Sequence, residues 1–289
     1  TKLAVQIADK LRGEIISADS RQIYRGMDIG TGKDLKDYVI NDKKIDYHLI
    51  DIVDPKEEYN VSQFQKDFKK YFLDIQKRNK LPILCGGTGF YIKAILMNYN
   101  LPAVKPNKKI RKELEKRGID NLLQQLESIS QNKSIHRSFE TKRQIIRAIE
   151  IEISQKQRKL NTKDHHFQSV LKKVTVLGIK YPREIIRERI TTRLYERLDQ
   201  GMIKEVEILL NNGITGERLE KIGLEYRLIN YYLQGQLTQE EMINKLNIAI
   251  HQFAKRQMTF FRNIEKNGVE IHRVHKGNLA NALEVIKKG

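Results

Sequence analysis

EIISADSRQIYRGMDIGTGK, residues 14–33, opens as an apolar strand and turns at once into Asp19, Ser20, Arg21 and Gln22, followed by a tyrosine and three glycines. A strand that runs from buried side chains into a carboxylate places that carboxylate at its carboxyl end, where open α/β sheets bind ligands. Upstream, Leu3, Ala4, Ile7, Ala8 and Leu11 recur at helical spacing over residues 1–12, and Gly13 ends the helix. Downstream, DYHLIDIV (46–53) predicts a second strand ended by Asp54-Pro55. Residues 61–79 predict an amphipathic helix with Phe64, Phe68, Tyr71, Phe72 and Ile75 on one side. LPILC (81–85) predicts another short strand, and Gly86-Gly87-Thr88-Gly89 leads from it into the helix FYIKAILM. This alternation is that of an α/β sheet with crossover helices, with Asp19 and Thr88 at strand ends.

From residue 101 to 164 the character changes. Pro102 and Pro106 punctuate the chain, strongly charged helical stretches follow, and no strand is predicted, so 101–170 reads as a helical insertion between core segments 1–100 and 171–289. Strand chemistry returns in KKVTVLGIK (172–180), and Pro182 suits the first turn of the basic helix REIIRERITTRLYERL. Residues 238–263 carry an apolar stripe through Met242, Ile243, Leu246, Ile250, Phe253 and Phe260, and VEIHRV (269–274) predicts a final strand.

The 289 residues are 39% apolar and 31% charged, as expected of a globular chain. A single cysteine, Cys85, excludes an internal disulfide framework, and no leader or membrane-spanning run is legible, so a cytoplasmic protein without membrane association is expected. The formal net charge of +18 exceeds what solubility needs and points to a polyanionic partner, nucleic acid above all; a generally basic proteome is the alternative source. The positive charge is concentrated in KKIRKELEKR (108–117), KRQIIR (142–147), REIIRERITTR (183–193) and KRQMTFFR (255–262).

A strand-end carboxylate is suited to act as a general base or to hold a hydrated Mg²⁺; Asp19 followed by Ser20 is equally good turn or capping chemistry. Gly86 to Gly89 before a helix offers backbone N–H groups to a phosphate, or makes a tight turn. Arg193 and its neighbours are able to clamp a diphosphate, or to form a solvated basic face. His48 reads as a core or supporting histidine, His165-His166 as a polar connector without zinc, and Cys85 as a small packed residue. An adenylate-kinase-like fold opens with a strand, a Gly-rich loop ending in Lys-Thr or Lys-Ser, and a helix. This chain goes from Thr1 straight into the helix, so Thr1 is read as the last residue of such a loop, with the strand and the rest of the loop not in the sequence.

The run Asp19-Ser20-Arg21-Gln22-Ile23-Tyr24, Gly26-Met27-Asp28-Ile29-Gly30-Thr31, His48-Leu49-Ile50-Asp51-Ile52 with Asp54-Pro55, and Gly86-Gly87-Thr88-Gly89-Phe90-Tyr91-Ile92 resembles the tRNA dimethylallyltransferases. Pro182-Arg183-Glu184, the Arg193 helix, Tyr226-Arg227 and Ala254-Lys255-Arg256-Gln257 continue the resemblance in order; Ile135-His136 and Lys142 to Glu150 are its anchors in the insertion. The resemblance implies a P-loop-NTPase-like parallel sheet core with an inserted helical domain. It also implies transfer of a dimethylallyl group from dimethylallyl diphosphate to N6 of the adenosine 3′ of the anticodon. Asp19 would then be the base, and Arg193, the Thr1 hydroxyl and Mg²⁺ would stabilise the departing diphosphate, with the metal ligands unassigned. Ser20 and Gln22 would hold the base, with Gly87 and Thr88 along the same channel. The resemblance places the tRNA anticodon stem-loop against Arg21, Arg143, Arg147, Gly223, Tyr226, Arg227, Lys255, Arg256, Gln257 and Arg262, and implies no obligate protein partner. Two positions depart from the family pattern: Phe260 replaces a tryptophan, and Arg197 stands where a methionine is expected and becomes a second candidate for the diphosphate. The competing readings are a kinase or prenyltransferase for free adenine nucleotides and a non-catalytic RNA-binding protein.

Overall fold

The structure is a computed structural model, and it describes residues 1–99, 101, 104, 106–130, 139, 141–156 and 174–288. Pro102, Ile135-His136 and His165-His166 lie outside the described residues. Contacts divide the chain into one unit of Thr1–Tyr99 with Val170–Gly289 and a second of Asn100–Ser169.

In the first unit, α1 (Lys2–Leu11) ends on Arg12 in the left-handed region and reverses through Gly13 into β1 (Gly13–Ser17). Because helix and strand run in opposite directions from this reversal, the start of α1 and the end of β1 share one side of the sheet. After a short hairpin of β2 (Val39–Ile40) and β3 (Lys43–Lys44) come β4 (Tyr47–His48), α2 (Val61–Lys77), β5 (Leu81–Cys85) and α3 (Gly89–Leu96). The sheet is parallel, in the order β4-β1-β5, with Ile15 opposite both Tyr47 and Ile83. β1 is central, and Glu14 to Ser17 are all buried, as a strand covered on both faces requires. Asn60 starts α2 with a full capping box, and Phe64, Phe68 and Phe72 form its buried side, Phe64 stacking on Tyr91 at 4.2 Å.

The second predicted strand, 46–53, is corrected to Tyr47–His48. Leu49 (φ 63°) and Asp51 (φ 56°) turn the backbone left-handed, and only Val53 regains a bridge, to Tyr24. The turn presents Asp51 to the buried Lys33 ammonium, which also donates to Asp28 (2.7 Å) and the Tyr24 carbonyl (2.8 Å). An ammonium fully removed from water needs such partners.

The second unit contains α4 (Lys108–Leu114), α5 (Ile119–Ile129) and α6 (Lys142–Lys156), packed around Leu114, Leu122, Leu126, Ile145 and Ile149. Its buried charge is Glu150, which accepts two hydrogen bonds from Arg111 (2.9 and 2.8 Å), one from Arg147 (3.2 Å) and one from the Asn107 N–H (2.9 Å).

The chain returns to the first unit with β6 (Leu177–Lys180), shorter than predicted since 174–176 form no strand and 172–173 lie outside the described residues. Then follow α7 (Arg183–Asp199), α8 (Met202–Asn211), α9 (Gly216–Ile222), α10 (Leu224–Leu233), α11 (Gln239–Lys266), β7 (His272–His275) and α12 (Leu279–Lys288). β6 and β7 form a separate parallel pair. Helices α7 to α11 and the 23–27 segment share a core that includes Ile23, Met27, Met202, Leu219, Tyr226 and Met242.

Glu14, buried in β1, accepts from Arg78 (2.8 Å for Nη2), pairs with Lys80 (2.6 Å) and meets His48 Nε2 at 2.7 Å. The Arg78 hydrogen bonds lead the effects that hold its carboxyl well below the usual carboxylate range, outweighing its burial. The folded pKa is therefore depressed, so this cluster contributes stability in full above the unfolded carboxylate value and loses it as pH falls toward the folded one. Glu14→Gln is expected to flatten the rise in stability between about pH 2 and about pH 5, read by urea unfolding; an unchanged acid limb would remove Glu14 from the linkage.

Candidate active site

The two strand ends predicted to meet are pinned together. The Ala18 N–H donates to the Cys85 carbonyl (2.8 Å), and the Ala18 carbonyl accepts from the Thr88 N–H (3.1 Å). A Cβ at Gly86 would run into the Ala18 carbonyl, so the close approach requires glycine there. Ser20 donates its N–H to Thr88 Oγ1 at 3.0 Å, and the two hydroxyls lie 3.3 Å apart.

Asp19 lies just beyond β1. Its Oδ1 accepts the N–H groups of Arg21 (2.9 Å) and Gln22 (3.3 Å), closing an Asx turn that fixes the carboxylate. Oδ2 takes no hydrogen bond among the described residues. The side chain of Gln22 donates to the Gly32 carbonyl at 3.1 Å, tying the DSRQ turn to the GTGK loop.

A cavity of about 290 Å³ opens on this carboxylate. Its lining joins Asp19, Ser20, Arg21, Gly87 and Thr88 to Gly223, Arg227, Arg256 and Gln257 from the other end of the chain. Gln257 is locked in place by donating to the Gly87 carbonyl at 3.0 Å. Arg21 pairs with the buried Glu225 at 2.6 Å and lies over the Phe253 ring, 5.4 Å from its centroid. Burial works against the Arg21 charge, but the carboxylates of Glu225 and Asp19 outweigh it and hold its pKa above the ordinary arginine value.

Other predicted residues lie elsewhere. Thr1 is exposed at the start of α1 and makes no side-chain cap. Arg193 is exposed on α7, Lys255 and Arg262 are exposed on α11, and none of the three lines the cavity. In the helical unit Arg143 is exposed, whereas the Arg147 guanidinium is committed to Glu150 and the Val104 carbonyl (2.7 Å). The expected RNA contact at Tyr226 is corrected: its side chain is wholly buried, its ring abuts Gly30, and its hydroxyl donates to Glu205 at 2.8 Å. Burial and Glu205 raise its pKa well above the ordinary phenol value.

Two carboxylates that local sequence did not single out complete the arrangement. Glu205 accepts the N–H groups of Asp28, Ile29 and Gly30 at 2.7 to 3.0 Å and thereby shapes the loop after the DSRQ motif. Glu225 neutralises Arg21. Both are charged residues on helices, a pattern shared by any solvated helix face, so nothing local distinguished them.

Among the described residues no group of three or more His, Cys, Asp or Glu side chains gathers to hold a metal. The cavity lining supplies two carboxylates, Asp19 and Glu220, on separate elements, and the hydroxyls of Ser20 and Thr88. That set falls short of a protein-built octahedral site for Mg²⁺.

A parallel α/β sheet with an anchored acid beyond its central strand and arginines around the facing cavity defines a ligand-binding protein built for a polyanionic substrate. The family model described as IPP transferase matches residues 22–264, and the chain belongs to that family. It is 46% identical to tRNA dimethylallyltransferase 1 of Azobacteroides pseudotrichonymphae over 100% of this chain and 93% of that protein. It is 48% identical to tRNA dimethylallyltransferase 1 of Parabacteroides distasonis, over 94% of this chain and 87% of that one. Among solved structures, the tRNA isopentenylpyrophosphate transferase of Bacillus halodurans matches with a TM-score of 0.68 at 30% identity, covering 99% of this chain and 90% of that one.

Proposed function

We infer that this protein modifies tRNA, transferring the dimethylallyl group of dimethylallyl diphosphate to N6 of the adenosine 3′ of the anticodon. Membership of the family and the near full-length likeness to named tRNA dimethylallyltransferases support the reaction. The observation that carries the mechanism is Asp19 Oδ2, held still by the two hydrogen bonds to its sister oxygen and directed to no protein donor among the described residues.

The exocyclic amine of adenine is a weak nucleophile because its lone pair is delocalised into the ring. As N6 forms its bond to the allylic carbon, the carbon–oxygen bond to the diphosphate breaks, the electron pair leaves with the diphosphate, and the N6 proton passes to Asp19 Oδ2. Fixed hydrogen-bond donors, charged or neutral, lower the cost of charge on the leaving group, each worth about 3 kcal/mol of barrier in comparable sites. Arg193 and the Thr1 hydroxyl are proposed for that role. Mg²⁺ is proposed only as an ion carried in on the diphosphate oxygens, where it would offset their charge.

The adenine must leave its stack, at a cost of a few kcal/mol, which contacts to tRNA phosphates offset. Arg227 and Arg256 at the cavity, Lys255 and Arg262 along α11, and Arg143 in the helical unit are proposed to supply them. Lys255→Ala or Arg143→Ala is expected to weaken stem-loop binding and to flatten its salt dependence by about one unit of log–log slope per contact. Titrations at several salt concentrations check this, and an unchanged slope would remove that residue from the interface. A cytoplasmic setting belongs to the same proposal; among the described residues no helix is long and apolar enough to cross a membrane.

Incubating full-length protein with labelled dimethylallyl diphosphate, unmodified tRNA and AMP tests the whole reading. Label on tRNA at the adenosine 3′ of the anticodon is expected. Label on AMP alone, or on neither acceptor, would overturn it.

A further inference from the structure

Arg197 lies on the inner side of α7, half-buried, with its guanidinium packed against Gly32 so closely that a Cβ on that glycine would overlap it. Gly32 has φ +65°, so both its backbone and its neighbour demand the smallest residue. The placement is specific: the carbonyl of Gly32 is held by Gln22, whose N–H is held by Asp19. Arg197 thus stands two hydrogen-bonded links from the carboxylate proposed as base, behind the DSRQ turn.

What the guanidinium lacks is an acceptor. It has five N–H donors, and among the described residues none makes a hydrogen bond or a salt bridge. Its charged neighbours do not resolve this. Arg193 and Arg21 add positive charge close by, Asp34 and Glu225 lie within electrostatic range, and Glu225 is already engaged with Arg21. Burial first, and Arg193 second, hold its pKa below the ordinary arginine value. Three arginines face two carboxylates there, one of them already committed; a polyanion relieves that excess of positive charge, and a planar fork is the group that takes two oxygens of a phosphate at once.

We propose that Arg197 acts with Arg193, one turn earlier on α7, as a second arginine that grips the diphosphate on the Gly32 side of the DSRQ turn. The proposal rests on the prenyl-transfer reading for the identity of its ligand. The same chemistry would accept a tRNA backbone phosphate, and the two sources are separable.

Inorganic pyrophosphate is titrated calorimetrically into full-length wild-type protein and Arg197→Met, and an anticodon stem-loop is titrated in parallel. Loss of one half-buried charged fork is expected to weaken pyrophosphate binding roughly 10- to 100-fold and leave stem-loop affinity at the wild-type value. A folded Arg197→Met that binds pyrophosphate like wild type, or loses stem-loop affinity alone, overturns the proposal. Wild-type protein is also treated with phenylglyoxal, with and without saturating pyrophosphate, and Arg197 modification is read by peptide mass spectrometry; this needs no variant to fold. Protection is expected, and equal labelling overturns the proposal. Pyrophosphate bound at Arg197 by a protein that never prenylates tRNA would refute the activity and leave this site standing.

Discussion

Asp19→Asn is expected to lower the single-turnover rate of prenyl transfer by about 10²- to 10⁴-fold while leaving stem-loop affinity at its wild-type value. Asparagine keeps an oxygen able to accept the Arg21 and Gln22 N–H groups, so the turn that positions the residue survives. What it loses is the second carboxylate oxygen, the one directed to no protein donor, and with it a site for the N6 proton. Rapid-quench measurement on preformed complexes separates the chemical step from binding. A wild-type rate would remove Asp19 from the role of base. Asp19→Ala is a poorer probe, because it also frees two backbone N–H groups beside the cavity.

The second large effect is expected on stability. Glu225→Ala leaves the Arg21 guanidinium mostly buried without its 2.6 Å partner, in a region that already holds Arg193 and Arg197. Breaking one half of such a pair typically costs about 3 kcal/mol, because the remaining charge stays desolvated and uncompensated. Urea unfolding should show this as a lower midpoint at unchanged slope. Replacing both partners, Arg21→Met with Glu225→Leu, should recover at least half of the loss, since the uncompensated charge is removed with its partner. If the double variant is as unstable as Glu225→Ala, the cost lies elsewhere, for example in the first turn of α10.

The alternation of β1, α2, β5 and α3 was legible because each element carries its own period. Ile15-Ile16 and LPILC are short apolar runs, and the phenylalanines of α2 recur every four residues. The strand-end position of Asp19 and its meeting with Thr88 followed from that alternation, since parallel strands of one sheet deliver their carboxyl ends to one side. Where the reading overran, at 46–53, the chain kept apolar residues but turned left-handed at Leu49 and Asp51 to meet Lys33. Apolar pattern does not record such a turn. Helices α8 to α10 had no reading of their own, although their buried residues form part of the core that seats Tyr226.

By itself the sequence determined the α/β class, the acid at a strand end, the basic surplus and the family, because these depend on short-range periodicity, residue type and motif order. Only the tertiary structure decided which charges serve the site and which serve the fold. Arg147 and Tyr226 look like binding residues in the sequence, but the half-buried Arg147 is engaged with Glu150 and the buried Tyr226 with Glu205, while Arg21 finds Glu225, 204 positions away. The physical reason is that a charge is spent or available according to what it meets after folding, and such partners are brought together across the chain.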